Sequence, residues 1–187
     1  YFGRANAGLT SYGLDFSGLG VPVQRNFESA MDYYESVSVV SDNSGNVLYY
    51  TDGIFVYDAS HQIMSGAPAQ LQGTGNGTTA SSVQGAYSLL KPGSQLEYYL
   101  FTSNAIDGAA TGFRVSRIDM SLPGNGTTGN PLGEMVMSDS LLRTSASEMM
   151  TAYGNCGSDS VWVIAHKRQS WDFVRVLITK DGIQQVE

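Results

Sequence analysis

One structural unit occurs three times in this chain of 187 residues. Each copy reads as a strand, a turn that contains glycine, an apolar aromatic strand, a short break and a further strand. Leu48, Tyr99 and Trp162 take equivalent places in the aromatic strands, and a repeat of roughly 50 residues with this content is typical of a β-propeller blade. Because about three blades are too few to close a ring, the sequence predicts an all-β fold of β-propeller-like blades that form an incomplete propeller.

The three copies define the predicted organisation of the chain. A lead segment of residues 1–35 precedes blade-like modules at residues 36–65, 82–122 and 146–187. In the lead segment, residues 1–3 and 8–11 are predicted as short strands and residues 16–24 as a loop.

The segments between the modules carry further signals. Residues 73–79 and 124–130 are rich in Gly, Asn and Thr, so we expect exposed loops there. Residues 132–137 read as one more strand before the third module, and the turn at residues 180–182 ought to lead into another. The chain begins inside a predicted strand, which indicates that it is part of a longer chain.

The aromatic strands are apolar almost throughout and do not alternate with polar residues. Such strands are typically buried on both faces, as they would be where blades pack against each other. We therefore expect six large side chains to be largely buried: Leu48, Tyr50, Tyr99, Phe101, Trp162 and Ile164.

Composition excludes some classes of partner. Only 14% of the residues are charged, and the formal net charge is −7, so the chain repels nucleic acid at long range. No apolar run approaches the ~20 residues that a spanning helix needs, so membrane insertion is not expected. The single cysteine, Cys156, cannot form an internal disulfide.

Several segments carry a family resemblance: residues 1–3, 6–9, 15–16, 41–53, 56–58, 61–64, 90–93, 98–102, 115–122, 161–166 and 177–179. Together they resemble the amino-terminal β-propeller region of Bacteroidetes surface proteins, among them gliding-motility-associated and type IX secretion substrates. Residues 147–150 depart from the family pattern. The resemblance implies a secreted or cell-surface protein, and it supplies no catalytic residues.

A short acidic loop could bind calcium. Asp42, Asn43, Ser44 and Asn46 place oxygen ligands close together, but the downstream bidentate Glu of an EF-hand is missing. The alternative is a hairpin turn with Gly45 at a positive-φ position, and the sequence favours that alternative. No other cofactor is predicted.

Three carboxylates, Asp52, Asp58 and Asp119, stand at predicted strand ends. Clustered at one rim, they could serve glycoside hydrolysis. They could equally accept hydrogen bonds from turn amides, and this structural role is favoured because no pairing is visible. His61, His166 and Cys156 are too scattered in sequence to predict a metal site or an activated nucleophile.

Two surface features remain open in the sequence. Five aromatic residues could form a platform for sugars or a protein partner, or could belong to the core: Tyr12, Tyr33, Tyr34, Tyr57 and Trp171. Ser140 and Ser160 each follow Asp and precede an apolar residue, a pattern that resembles the O-glycosylation acceptor of Bacteroidetes exported proteins. The sequons at Asn76 and Asn125 are interpreted as turn chemistry.

The sequence therefore predicts a non-enzymatic scaffold or adhesion module in a larger secreted or cell-surface assembly. Its expected partners are other protein chains or missing blades, with carbohydrate as a further class. The alternatives are a carbohydrate-active hydrolase and a structural or receptor-binding component of a bacteriophage. Because the end modules would expose apolar faces, we expect the isolated chain to associate or aggregate.

Overall fold

The structure, a computed structural model, describes residues 11–16, 20–27, 29–31, 35–72, 82–103, 105, 112–154 and 159–187. Those residues form β-strands without any helix, and all strands within a sheet pair antiparallel. The predicted all-β class is therefore confirmed. The strands form four separate sheets, and no closed ring is present in the described part of the chain.

Strand order in every sheet follows chain order, so each sheet is a simple meander. The N-terminal hairpin comprises β1 (Ser11–Asp15) and β2 (Val23–Phe27). The first sheet comprises β3 (Ser38–Ser41), β4 (Val47–Thr51) and β5 (Val56–Asp58). The second sheet comprises β6 (Ala86–Leu90), β7 (Glu97–Thr102), β8 (Phe113–Asp119) and β9 (Glu134–Arg143). The third sheet comprises β10 (Met150–Gly154), β11 (Ser160–His166), β12 (Phe173–Thr179) and β13 (Gly182–Val186).

The strands differ from prediction mainly at the edges of the modules. β9 continues the second sheet well past residue 122, and β13 is the strand that the turn at residues 180–182 was expected to start. β2 begins inside the predicted loop at residues 16–24, so the lead segment contains a hairpin that the sequence did not indicate. The strand predicted at residues 1–3 lies outside the described residues.

Register aligns the second and third sheets residue by residue. Tyr99 on β7 stands opposite Leu89, as Trp162 on β11 stands opposite Tyr153. In the first sheet a bulge between Val40 and Ser41 absorbs one residue, so that Tyr49 rather than Leu48 stands opposite Val40. The side chain of Tyr49 packs towards the second sheet, as that of Tyr99 packs towards the third.

The apolar core lies on both faces of the second sheet. On one face, Tyr98 and Leu100 pack with Tyr49 and Val56 of the first sheet, and the rings of Tyr49 and Tyr98 meet edge-on at 5.7 Å. On the opposite face lies a second cluster with the third sheet, formed by Tyr99, Phe101, Phe113, Val115, Val163, Ala165, Val174, Val176 and Ile178. Burial of β7 on both faces, as its unbroken apolar sequence predicts, is confirmed.

Among the described residues, the third sheet is covered on one face only. Burial alternates along its strands: Val163 and Ala165 of β11 are buried, whereas their neighbours Trp162, Ile164 and His166 are only partly buried. Consequently Trp162 and Ile164, like Leu48, are half-buried, whereas Tyr50, Tyr99 and Phe101 are buried as predicted. The predicted burial is therefore complete for three of the six side chains and partial for the other three. Trp162 and Ile164 stay partly exposed because the third sheet has no neighbour on its far side among the described residues.

A short parallel contact fastens the first sheet to the second. The amide of Met135 on β9 donates to the carbonyl of Ser65 at 2.8 Å. Gly66 follows with φ of +75°, and a Cβ atom there would lie 2.2 Å from the carbonyl oxygen of Met135. Only glycine therefore permits this close approach.

Candidate functional site

The predicted rim carboxylates each close a local turn. Oδ1 of Asp58 accepts hydrogen bonds from the amide and hydroxyl of Ser60, at 2.8 and 2.6 Å. Oδ1 of Asp119 accepts the same pair from Ser121, at 2.9 and 2.6 Å. These equivalent turns follow the third strands of the first and second sheets, which gives the sequence Asp-x-Ser a structural role.

Asp52 also serves the backbone. Its side chain is fully buried, and Oδ1 accepts the amides of Ile54 and Phe55 at 2.8 and 2.7 Å. These bonds orient the break between β4 and β5. The structural interpretation of the strand-end carboxylates therefore describes the geometry at all three positions.

The acidic loop after β3 closes on itself. Oδ1 of Asp42 accepts the amides of Ser44 and Asn46, both at 2.8 Å, and Oδ2 accepts Nδ2 of Asn46 at 2.9 Å. The side-chain hydrogen bond from Asn46 is the main cause that lowers the pKa of Asp42. Calcium binding by Asp42, Asn43, Ser44 and Asn46 would have to displace these bonds. Across the described residues, no three His, Cys, Asp or Glu side chains are grouped for metal binding.

The two candidate glycosylation serines lie in strands. Ser140 stands opposite Val115 in the second sheet, and Ser160 stands opposite Thr179 in the third; both are half-buried. A glycan on either hydroxyl would be attached within a paired strand of the sheet. Loops are the more usual place for such attachment, so the two positions stay predictions that geometry does not favour.

Asp139, next to Ser140, is in an unusual environment. Its φ is +51°, and Oδ2 accepts the amide of Gln72 at 2.8 Å. Oδ1 is buried and accepts no hydrogen bond from the described residues. Burial is the main cause that raises the pKa of this carboxyl, although Arg114 opposes the shift. The site ties the segment after the first sheet to β9.

The loop at residues 124–130 is fastened to the first sheet. Nδ2 of Asn125 donates to Oδ2 of Asp58 and to the carbonyl of Ile63, both at 2.7 Å. The amide nitrogen of this sequon is thus engaged in structure, which supports its interpretation as turn chemistry. Asn76 lies outside the described residues.

Of the five candidate platform aromatics, the structure describes the side chains of Tyr57 and Trp171, and these two lie in different sheets. Tyr57 stacks on Tyr50 at 5.2 Å, and Nδ1 of His61, a residue with φ of +65°, lies 2.9 Å from the Tyr50 hydroxyl. Trp171 is 97% exposed in the turn between β11 and β12 of the third sheet. Tyr33, Tyr34 and Cys156 fall outside the described residues, and for Tyr12 the description covers the backbone only.

The first strands of the three sheets approach a common cavity of about 250 Å³. It is lined from the first sheet by Ser36, from the second by Gln84 and Tyr87, and from the third by Met150 and Thr151. The Ser36 hydroxyl is buried there and meets no hydrogen-bond partner among the described residues. The cavity shows that the first strands of the three sheets, with the residues just before them, come together here.

An apolar groove of about 360 Å³ adjoins this cavity and opens onto the third sheet. Its lining includes Met149, Ile164, His166 and Phe173, and the rings of His166 and Phe173 meet edge-on at 5.2 Å. The groove continues into the uncovered face of the third sheet, where Met149 and Phe173 are exposed by 64% and 57%. Such an apolar surface is typical of a protein contact.

We call this uncovered surface the outer face. Register and alternation place eight side chains on it: Thr151, Tyr153, Trp162, Ile164, His166, Phe173, Arg175 and Leu177. None of them is buried. The sequence predicted open apolar faces on the end modules, but it also predicted that the aromatic strand of the third module would be covered on both sides.

The described part of the chain holds no helix of the length and apolarity that a membrane span requires. Comparison of the chain with models of protein families, with curated proteins and with solved structures finds no match.

Proposed function

We propose that this chain is a non-enzymatic scaffold or adhesion module of a larger assembly, built from three propeller-like blades in an open arrangement. The observation that carries the proposal is the exposed apolar outer face of the third sheet. Phe173 and Tyr153, exposed by 57% and 67%, lie in regular strands rather than in loops. Large apolar side chains on a rigid sheet favour a lasting protein contact over transient ligand capture.

Two further features support a structural role. The strand-end carboxylates Asp52, Asp58 and Asp119 accept hydrogen bonds from turns, which fixes loops on the frame. The chain is also poor in charge and rich in Gly and Tyr, a composition common in all-β surface proteins. With the family resemblance, these features support an assembly outside the cell or on its surface, with export by the type IX route.

Photo-cross-linking in the cells that produce the protein tests this proposal. A photoreactive phenylalanine analogue replaces Phe173 on the outer face, and in a matched control it replaces Asn43 in the exposed turn of the first sheet. We expect a discrete higher-mass adduct from position 173 and none, or a much weaker one, from position 43. An absence of any adduct at position 173 in fully assembled cells would refute a role in assembly through this face.

A further inference from the structure

The outer face of the third sheet is the counterpart of a face that the second sheet buries. Pairing register sets Phe173 and Arg175 of β12 in the places of Phe113 and Val115 of β8. Phe113 is 0% exposed and Val115 is 1% exposed, whereas Phe173 is 57% exposed. The same positions of the same repeat are therefore covered in one sheet and open in the next.

The cover over the second sheet defines what such a face accepts. It consists of small and β-branched aliphatic side chains on the inner face of the third sheet: Val163, Ala165, Val174, Val176 and Ile178. Ala146 and Met150, which lie in or near the connection that leads into the third sheet, fill the same cluster beside Phe101 and Phe113. Aromatic residues on the second sheet thus meet aliphatic residues on the third sheet.

The groove on the outer face of the third sheet corresponds to a place on the second sheet. There, the connection that leads into the third sheet fills the space. Ile164 and Phe173 line it, in the places of Phe101 and Phe113. Its size of about 360 Å³ suits one or two apolar side chains of the kind that Ala146 and Met150 supply between the second and third sheets.

One residue departs from the repeat. Arg175, in the place of Val115, pairs with Glu187 across 3.1 Å, and both lie towards the β13 edge of the sheet. A cover can therefore bury the aromatic side of the outer face and leave this ion pair in solvent at the edge.

We propose that the outer face docks a further antiparallel β-sheet of this same repeat, whose inner face carries aliphatic side chains like those of β11 and β12. The inference rests on the proposed assembly role and specifies its partner. It extends, by one step, the stacking that already joins the first sheet to the second and the second to the third.

The test extends the full chain after Glu187 with a second copy of residues 144–187. Trp162 of the original chain is kept as the only tryptophan by changing Trp171 to Phe, and by changing both tryptophans of the added copy to Phe. We expect iodide quenching of Trp162 to fall several-fold relative to the unextended Trp171→Phe chain. A matched control carries Val163→Asp and Val176→Asp in the added copy, and its quenching should equal that of the unextended chain.

Unchanged quenching, with an added copy whose strand content is present by circular dichroism, would overturn the proposal. If the added copy does not fold, the proposal is tested by the photo-cross-linked adduct that forms at position 173 in the cells that produce the protein. Cross-linked peptides from a strand with alternating aliphatic residues support a further sheet. Peptides from a helix, from an unstructured segment or from a second copy of this chain overturn it and leave the assembly role intact, whereas an absence of adducts refutes that role itself.

Discussion

Phe113 and Phe173 occupy equivalent places at the start of β8 and β12, but their burial differs completely. Phe113 is 0% exposed and stacks on Phe101 with ring centroids 5.6 Å apart. A fully buried Phe side chain removes roughly 150–200 Å² of apolar surface from water, which is about 4–5 kcal/mol at about 25 cal/mol per Å². We therefore expect Phe113→Ala to lower the free energy of unfolding by about 3–5 kcal/mol.

Phe173→Ala should cost much less. The residue is 57% exposed, so truncation returns under half of that area to water and leaves a surface notch instead of a closed cavity. The expected loss is about 1–2 kcal/mol. Urea unfolding, followed by circular dichroism and intrinsic fluorescence, measures both values. If Phe113→Ala does not fold, Phe113→Leu should still cost more than Phe173→Leu. Equal costs at the two positions would refute the claim that one face is covered and its counterpart is open.

Three further results are expected. Asp58→Ala should cost about 2–3 kcal/mol in urea unfolding, because it removes a buried acceptor of four hydrogen bonds. Gly66→Ala should lower the thermal midpoint, since its Cβ would meet the Met135 carbonyl, whereas Gly129→Ala, with no atom within 4 Å of its Cβ, should not. Folding raises the pKa of Asp139 above its ordinary value of 3.8, so the folded state binds this proton more tightly than the unfolded state does. The free energy of unfolding therefore falls as pH rises from about 3.8 through the raised pKa. The stability gained by Asp139→Asn should therefore be larger at about pH 7 than at about pH 3; an equal difference at both pH values would contradict this.

The sequence predicted the strands well because their signal is local. Apolar aromatic runs bounded by Gly, Asn and Asp located β4, β7 and β11, and the Asp-x-Ser turns at Asp58 and Asp119 fit their expected chemistry. The bulge that brings Tyr49 rather than Leu48 opposite Val40 could not be predicted, because a bulge depends on the partner strand as well as on the sequence. The β1–β2 hairpin was missed because its strands lack a strong apolar pattern.

The candidate site was less accessible to sequence reasoning. Whether Trp162 is covered depends on the presence of a neighbouring sheet, and the composition of β11 closely resembles that of the buried strand β7. One signal was available: Arg175 of β12 stands in the place of the buried Val115, and a charged side chain at that position indicates a face that is not fully covered. Comparing β12 with β8 as well as β11 with β7 would have predicted that Trp162 lies on the open face of the third sheet.

The most direct measurement compares thiol labelling at the two counterpart positions, Val115→Cys and Arg175→Cys, in a Cys156→Ser background. Loss of the exposed Arg175–Glu187 ion pair should change stability little. Because Val115 is buried, we expect the thiol introduced at position 115 to react only through unfolding, orders of magnitude more slowly than a free thiol. The thiol at position 175 should react at nearly the free rate in the isolated chain, because its place on the outer face is exposed. Protection of both positions in the isolated chain, or free reaction of both, would contradict the account.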